Sequence, residues 1–235
     1  MELKDYQQRV IQNIEQYLET LERIPDLAKA FKDYWDNKGA IGMDAYKNTV
    51  QGVPHVCTKV PTAGGKTFIA VNALAPIFSS LTKYNPKRGK LVVWLVPSTT
   101  ILDQTVKALS SPEHPYRKRL DQLFGNNRVA VYEKKDLLMD AGFSRDSATE
   151  QLSIVVMSFD SFRTRNKDGR KIYQENSYLA SFITNRDEQD YVLPDTDSSA
   201  LINVIRQLRP VVVVDESHNA ESELSVDMLQ NLNAD

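Results

Sequence analysis

The hydrophobic positions of this 235-residue chain follow two different patterns along its length. Near the start they recur about every fourth residue, a spacing that predicts one amphipathic helix with Val10, Ile14, Leu18 and Leu21 on its apolar face. Asp5 and Gln8, three residues apart, predict a capping box at the beginning of this helix. Between residues 24 and 54 the pattern is less regular, and we expect short helical pieces and a loop there. Residues 1–54 are therefore predicted to form an N-terminal helical segment.

From His55 onward the pattern changes to short apolar runs separated by amphipathic stretches, which is typical of a parallel sheet covered by helices. Four consecutive valines, 211–214, predict a strand buried on both faces. The polar stretch 163–198 predicts an insertion or a long surface excursion. We therefore expect residues 55–235 to form an α/β domain with a mostly parallel sheet flanked by helices. The predicted strands are 55–60, 91–96, 128–132, 152–157 and 211–214, and the predicted helices are approximately 66–81, 100–109 and 199–208.

Composition narrows the class of protein without identifying its ligand. With 41% hydrophobic and 26% charged residues, the chain has the profile of a globular protein, and no apolar run approaches the roughly 18 residues of a membrane span. We expect a cytoplasmic protein with no membrane partner. A net charge of −2 does not indicate a nucleic-acid partner, so such a partner must be argued from motifs. The single cysteine, Cys57, excludes an intramolecular disulfide.

The stretch VPTAGGKT, residues 60–67, has the residue types of a phosphate-binding loop. Gly64 and Gly65 follow a predicted strand and precede a predicted helix, so their backbone N–H groups can approach phosphate oxygens without interference from a Cβ. Lys66 would neutralise the β- and γ-phosphates of ATP, and the hydroxyl of Thr67 would bind Mg²⁺. Val60 stands where the full fingerprint has glycine. The predicted nucleotide-binding loop is completed by Pro61, Thr62 and Ala63.

The stretch DESH, residues 215–218, begins where the run of valines ends. Acidic residues at the carboxyl end of a buried parallel strand are typical of a ligand site. Asp215 is placed to hold Mg²⁺, Glu216 to orient or deprotonate the attacking water, and His218 to lie near the γ-phosphate. Taken alone, the same residues could cap a helix. Together with the glycine loop about 150 residues upstream, they predict ATP hydrolysis.

The order of these stretches, with LKDYQQRVI (3–11), VPSTTILDQT (96–105) and VVMSFDSF (155–162), resembles the first RecA-like P-loop domain of DEAD/DEAH-type superfamily 2 helicases. More narrowly, the chain resembles the restriction (Res) subunit of type III restriction-modification enzymes. The resemblance implies that Tyr6 stacks on adenine and that Gln7 pairs with the edge of the base. Tyr6 could instead be a helix-capping aromatic residue that packs on the sheet.

Two further segments would grip the phosphates of a nucleic-acid strand, according to the same resemblance. Contacts of this kind position the polymer without reading its sequence. Serine and aspartate at the end of a strand are also ordinary turn residues, so the second segment has a plain structural alternative. The first segment consists of Pro97, Ser98, Thr99 and Thr100, and the second of Ser158, Phe159 and Asp160.

The family implies partners beyond these residues. No Ser/Thr-Ala-Thr segment follows DESH within the 235 residues, and we expect a second RecA-like domain and a methyltransferase or specificity subunit as partners. The second domain supplies arginines that contribute about 10³ to 10⁵ in rate, so we expect this chain alone to bind ATP better than it hydrolyses it. The leading interpretation is a DNA translocase module. The alternatives are an RNA helicase module, a nucleotide-dependent binding module without turnover, and a small-molecule phosphotransferase.

Overall fold

Helices dominate the first part of the chain. The computed structural model describes residues 2–61, 63–139, 142–162, 170–183, 191–216 and 222–235. The chain divides into two compact units, Met1–Pro86 and Lys87–Asp235. The first unit contains helices α1 (Asp5–Arg23), α2 (Leu27–Asn37) and α3 (Lys66–Tyr84). The division into domains at residue 54 stays a prediction.

The N-terminal helix α1 begins as predicted, but its capping box lies one residue earlier. Lys4 is the N-cap residue, and the side chain of Gln7 accepts a hydrogen bond from the Lys4 backbone N–H at 3.0 Å. Gln8 instead donates to the carbonyl of Leu3 at 3.1 Å. The predicted pair of Asp5 and Gln8 is therefore wrong. The shift matters because it turns Gln7, and not Gln8, toward the interior.

The predicted strand 55–60 is wrong, because this segment has no regular secondary structure. Residues 55–59 are all exposed, and only Val60 is buried. The hydroxyl of Tyr46 accepts a hydrogen bond from the His55 backbone N–H at 3.2 Å, which holds the start of the segment against the preceding loop. With three polar residues in six, the segment has too little apolar surface to require the interior of a sheet.

The second unit is an α/β layer built on four parallel strands, which confirms the predicted fold class. The helices predicted at approximately 66–81 in the first unit and at approximately 100–109 and 199–208 in the second are confirmed, while the other helices of the second unit were not predicted. In chain order the unit contains β1 (Lys90–Val96), α4 (Thr99–Ser110), α5 (Pro115–Phe124), β2 (Val129–Glu133), α6 (Lys134–Leu137), α7 (Arg145–Glu150), β3 (Leu152–Ser158), α8 (Leu201–Leu208), β4 (Val211–Val214) and α9 (Glu223–Asn231).

The sheet order is β2-β3-β1-β4, with every pair parallel. The register places Val96 opposite Ser158 and Leu95 opposite Val214. The carboxyl ends of β3, β1 and β4 therefore meet at one edge, about 4.8 Å from strand to strand. Alternate side chains of a strand point to opposite faces, and both faces of β1 are fully buried.

One face of the sheet packs on a large apolar cluster that includes Leu91, Val93 and Leu95 together with residues of α8. The strand β4 departs from the prediction, because only Val211 is buried and residues 212–214 are partly exposed. The reason is its place in the sheet order: among the described strands, β4 lies at an edge and pairs with β1 alone. Four valines mark a strand but do not by themselves mark a central one.

The polar stretch 163–198 is not simply a surface excursion. Within its described part, Ile172, Leu179 and Phe182 are almost completely buried and belong to the core cluster of the second unit. Asn203 of α8 holds the segment that precedes this helix, since its side chain accepts a hydrogen bond from the Leu193 N–H at 3.0 Å and donates one to the Asp197 carbonyl at 2.7 Å. Residues 163–169 and 184–190 lie outside the described residues. No helix in the described part of the chain is both long and apolar enough to cross a membrane.

Candidate functional site

The predicted phosphate loop turns tightly before it enters α3. The N–H of Gly64 donates to the carbonyl of Pro61 at 2.9 Å, which closes the turn. Ala63 has a φ of 61°, and Gly65, the N-cap residue of α3, has a φ of 72°. Both lie in the left-handed region, where glycine is free of steric penalty and alanine is not. The loop is thus bent on both sides of Gly64; Thr62 lies outside the described residues.

Tyr6 and Gln7 hold the loop from the side of α1. The hydroxyl of Tyr6 donates to the carbonyl of Gly64 at 2.6 Å, and the Nε2 of Gln7 donates to the same oxygen at 3.0 Å. One carbonyl therefore receives two side-chain hydrogen bonds from residues 57 and 58 positions away. Both residues were predicted to recognise adenine, and that role stays a prediction. Sequence reasoning did not anticipate their contact with Gly64.

The packing around the glycines explains why Val60 can replace the first glycine of the fingerprint. The side chain of Val60 is buried against Ile11 and Ile14 of α1. A Cβ on Gly64 would lie 2.5 Å from the Cγ1 of Val60, and a Cβ on Gly65 would lie 2.7 Å from the Nε2 of Gln7. Ordinary carbon contacts are about 3.5–4.0 Å. The loop is therefore anchored by Val60 and accepts only glycine at its centre.

The start of α3 has the donor set that a nucleotide phosphate requires. Lys66 is exposed in the first turn, and Thr67 next to it is partly buried. The N-cap residue of this helix, Gly65, has no side chain with which to cap it. The N-terminus of a 19-residue helix carries a partial positive charge that favours an anion. An ammonium group, a hydroxyl and a helix N-terminus together fit the triphosphate of ATP with a hard cation.

The predicted acidic residues lie in the second unit, at the carboxyl edge of its sheet. The N–H of Asp215 donates to the carbonyl of Leu95 at 2.9 Å, so Asp215 continues the pairing of β4 with β1. Glu216 is exposed and has a φ of 59°. A non-glycine residue in the left-handed region is uncommon and costs about 1 kcal/mol or more. The turn after β4 thus begins at a strained glutamate; His218 lies outside the described residues.

The first predicted nucleic-acid segment is at the surface of the same edge. Residues 97–100 are all exposed. The backbone N–H of Ile101 donates to the Oγ of Ser98 at 3.4 Å, and this contact caps α4. Thr99 and Thr100 form the exposed first turn of that helix. Because β1 lies between β3 and β4, these groups lie next to Asp215 along the edge.

The second predicted segment presents different groups from those expected. Ser158 is buried, and its Oγ lies 3.2 Å from the Oγ of Ser161. Phe159 packs against the core cluster. The side chain left at the surface is that of Asp160, whose charge would repel a phosphate. A contact with a nucleic-acid backbone at this segment therefore stays a prediction, and its donors would have to come from the main chain.

The residues named above do not all belong to one part of the molecule. The phosphate loop with Tyr6 and Gln7 lies in the first unit, while Asp215, Glu216 and the two predicted nucleic-acid segments lie in the second. Joint action of the loop and the acidic stretch on one nucleotide stays a prediction. Among the described residues there is no group of three or more histidine, cysteine or acidic side chains that could hold a metal ion alone.

Comparison with known families agrees with the motif order. The family model described as type III restriction enzyme, res subunit, matches residues 1–234. No curated protein and no solved structure gives a significant match. The family match thus covers both compact units of the chain.

Proposed function

The chain belongs to the res-subunit family of type III restriction enzymes, a family of superfamily 2 helicase-like ATPase modules, and from this membership we propose that it binds and hydrolyses ATP as part of a DNA translocase. In this proposal the module serves a restriction (Res) subunit or a close relative. The observation that carries the proposal is the phosphate loop, which is bent at Ala63 and Gly65 and held at Gly64 by two side chains of α1.

In the proposed complex, different groups of the loop and of α3 contact different parts of the triphosphate. The backbone N–H groups at the start of α3 donate to the phosphate oxygens, and Lys66 balances the charge of the β- and γ-phosphates. Thr67 and Asp215 would hold Mg²⁺, which supplies charge neutralisation at the phosphates when it is bound. Glu216 orients the attacking water and accepts its proton. Tyr6 and Gln7 keep the loop in place and face the base.

Two observations support a nucleic-acid partner: exposed hydroxyl groups at the carboxyl edge of the sheet, and the description of the matching family. The exposed threonines 99 and 100 at the start of α4 are hydrogen-bond donors for phosphate oxygens, and backbone contacts of this kind give no sequence preference. DNA is favoured by the family description, which names a restriction enzyme. A methyltransferase or specificity subunit is the partner that such an enzyme would require to choose its site.

The nucleotide site is tested most directly by replacing Lys66. We expect Lys66→Ala to abolish tight binding of Mg-ATP, measured by titration with a fluorescent ATP analogue, because the triphosphate loses its main counter-charge. Lys59→Ala is the matched control, since Lys59 is an exposed lysine seven residues upstream. Unchanged affinity in Lys66→Ala would refute the assigned role.

Hydrolysis and the choice of polymer need a second experiment. We expect Glu216→Gln to keep ATP affinity and to lose the ATPase rate, with wild type measured in the presence of duplex DNA or RNA. Stimulation by DNA supports the translocase proposal, and stimulation by RNA alone would favour an RNA helicase module. If wild type binds ATP but never hydrolyses it, the chain is a nucleotide-dependent binding module. Hydrolysis that persists in excess chelator would contradict the roles of Thr67 and Asp215.

A further inference from the structure

Two 19-residue helices of the first unit, α1 and α3, are joined at their beginnings. Tyr6 and Gln7 in the first turn of α1 hold the carbonyl of Gly64, which lies two residues before the first residue of α3. An apolar seam continues from this point along both helices. It contains Ile11 and Ile14 of α1 against Ile69 and Ala73 of α3, with Leu18 and Ile77 packed beside them. The two helices therefore run side by side in the same direction.

The same two helices are joined again at their ends, by Glu22. Its Oε1 accepts from the hydroxyl of Ser80 at 2.7 Å, and Lys83 donates to both carboxylate oxygens at 2.9 and 3.0 Å. Ser80 is buried, and the Glu22 side chain is only 23% exposed. Tyr84 adds a contact to the Glu22 carbonyl at 3.4 Å. This is a specific polar contact at the edge of an apolar seam.

The two joints are far apart along both helices. Glu22 lies sixteen residues after Tyr6, about 24 Å along α1 at 1.5 Å per residue. Ser80 lies fourteen residues after Lys66, the first residue of α3, about 21 Å along that helix. A slip of one residue moves one helix by about 1.5 Å, which is enough to break a short hydrogen bond at either end. An apolar seam alone tolerates small slips, so the polar contacts at the two ends determine the axial register.

We propose that Glu22 is a positioning residue for the nucleotide loop, acting through the register of α1 on α3 to keep Tyr6 and Gln7 on the Gly64 carbonyl. The proposal rests on the proposed function, since it assumes that ATP binds at this loop. Glu22 contacts no nucleotide in this scheme. Its contribution reaches the phosphates only through the two side chains that hold the loop.

A double-mutant cycle on the 235-residue chain tests this dependence. The dissociation constant for a fluorescent Mg-ATP analogue is measured for Glu22→Ala in wild type and in the Tyr6→Phe, Gln7→Ala background. We expect Glu22→Ala to raise Kd about fivefold in wild type, as the loss of one or two partly buried hydrogen bonds allows. In the background that lacks the contacts with Gly64, we expect no further rise.

The controls separate register from general stability. Glu22→Gln keeps an acceptor for Ser80 and should raise Kd less than Glu22→Ala. Glu15→Ala removes an exposed carboxylate from the same helix and should leave Kd unchanged. Circular dichroism melting establishes that each variant is folded. If Glu22→Ala does not fold, Ser80→Ala replaces it in the cycle with the same expected pattern.

The Kd values of these variants either support or overturn the positioning role of Glu22. An unchanged Kd in Glu22→Ala overturns it, and so does an equal rise in both backgrounds, because general destabilisation would act regardless of Tyr6 and Gln7. The Lys66→Ala variant is measured in parallel. If Lys66→Ala keeps wild-type affinity, the proposed function fails. If Lys66→Ala loses binding while Glu22→Ala does not weaken it, only the positioning role fails.

Discussion

Replacing Gly64 by alanine introduces a methyl group where the phosphate loop has no room for one. The new Cβ would lie 2.5 Å from the Cγ1 of Val60 and 2.8 Å from the carbonyl oxygen of Pro61. The backbone cannot move aside without losing hydrogen bonds, because the Gly64 N–H is bound to Pro61 and its carbonyl is bound to Tyr6 and Gln7. Overpacking of this kind costs about 1–3 kcal/mol, and each lost hydrogen bond costs about 0.5–1.5 kcal/mol.

The steric cost of Gly64→Ala raises the free energy of the loop conformation that binds the nucleotide. Without ATP the loop can move away from α1 and relieve the contact, but it then loses its hydrogen bonds to Tyr6 and Gln7, so we expect the melting temperature to fall as well. With ATP bound the loop must return, and about 2 kcal/mol or more is then subtracted from binding. We expect Kd for Mg-ATP, measured by isothermal titration calorimetry, to rise at least about tenfold.

Two further variants make the result specific. Gly42→Ala adds a Cβ with no neighbour within 4 Å at a φ of +76°, so it introduces backbone strain away from the loop and should leave Kd unchanged. Val60→Ala in the Gly64→Ala background removes the nearest atom but leaves the Pro61 contact, and affinity should recover in part. Wild-type affinity in folded Gly64→Ala, with Lys66→Ala inactive in the same assay, would refute the steric reasoning.

Three other predictions concern stability. The Tyr17 hydroxyl is buried with no hydrogen-bond partner in the described part of the chain, and burial raises the pKa of Tyr17 to about 12. Because Tyr17→Phe removes this unpaired hydroxyl, it should raise the free energy of unfolding by about 1 kcal/mol, measured by urea unfolding. By contrast, Tyr46→Phe removes hydrogen bonds to Val53 and His55 and should lower the free energy of unfolding. If both substitutions changed the free energy of unfolding equally, the difference between a paired and an unpaired hydroxyl would be contradicted. Hydrogen bonds from Lys83 and Ser80 hold the pKa of Glu22 below its usual value of 4.5. The stability from Glu22 is therefore present above about pH 4.5 and is lost as the pH falls through the lowered pKa. The difference in melting temperature between wild type and Glu22→Gln should shrink as the pH is lowered below about 4.5, and a constant difference would refute this. Asn203→Ala should cost about 1–3 kcal/mol, because it removes the hydrogen bonds that this fully buried side chain makes to Leu193 and Asp197, and no measurable loss would contradict the role of those hydrogen bonds.

Sequence patterns were most reliable for the strands whose residues are buried on both faces. The runs that became β1 and β3 are apolar except for Ser153, and their side chains are buried in the structure. The segment 55–60 has apolar residues only at Val56, Cys57 and Val60, so its pattern is compatible with a strand but does not require one. The contact that decides its path comes from Tyr46, a residue in an irregular loop, where no periodic pattern exists.

The candidate site was predictable where one short stretch carries the chemistry, and not where it depends on contacts between distant residues. Lys66, Thr67 and the acidic pair follow from local motifs. The contact of Glu22 with Ser80 spans 58 residues and uses residue types that are common on helix surfaces. No periodic pattern in the sequence marks this contact, because it depends on α1 and α3 lying side by side.

Gln7 shows how the structure sharpens a motif-based prediction without testing it. Its Oε1 accepts from the Lys4 N–H, and its Nε2 donates to Gly64. A glutamine amide has two N–H groups and two acceptor positions, so one of each remains after these contacts. A base edge with one donor and one acceptor could use that remaining pair. If Gln7 does recognise adenine, it must do so while still holding the loop, and binding of the base would then be coupled through one side chain to the carbonyl of Gly64.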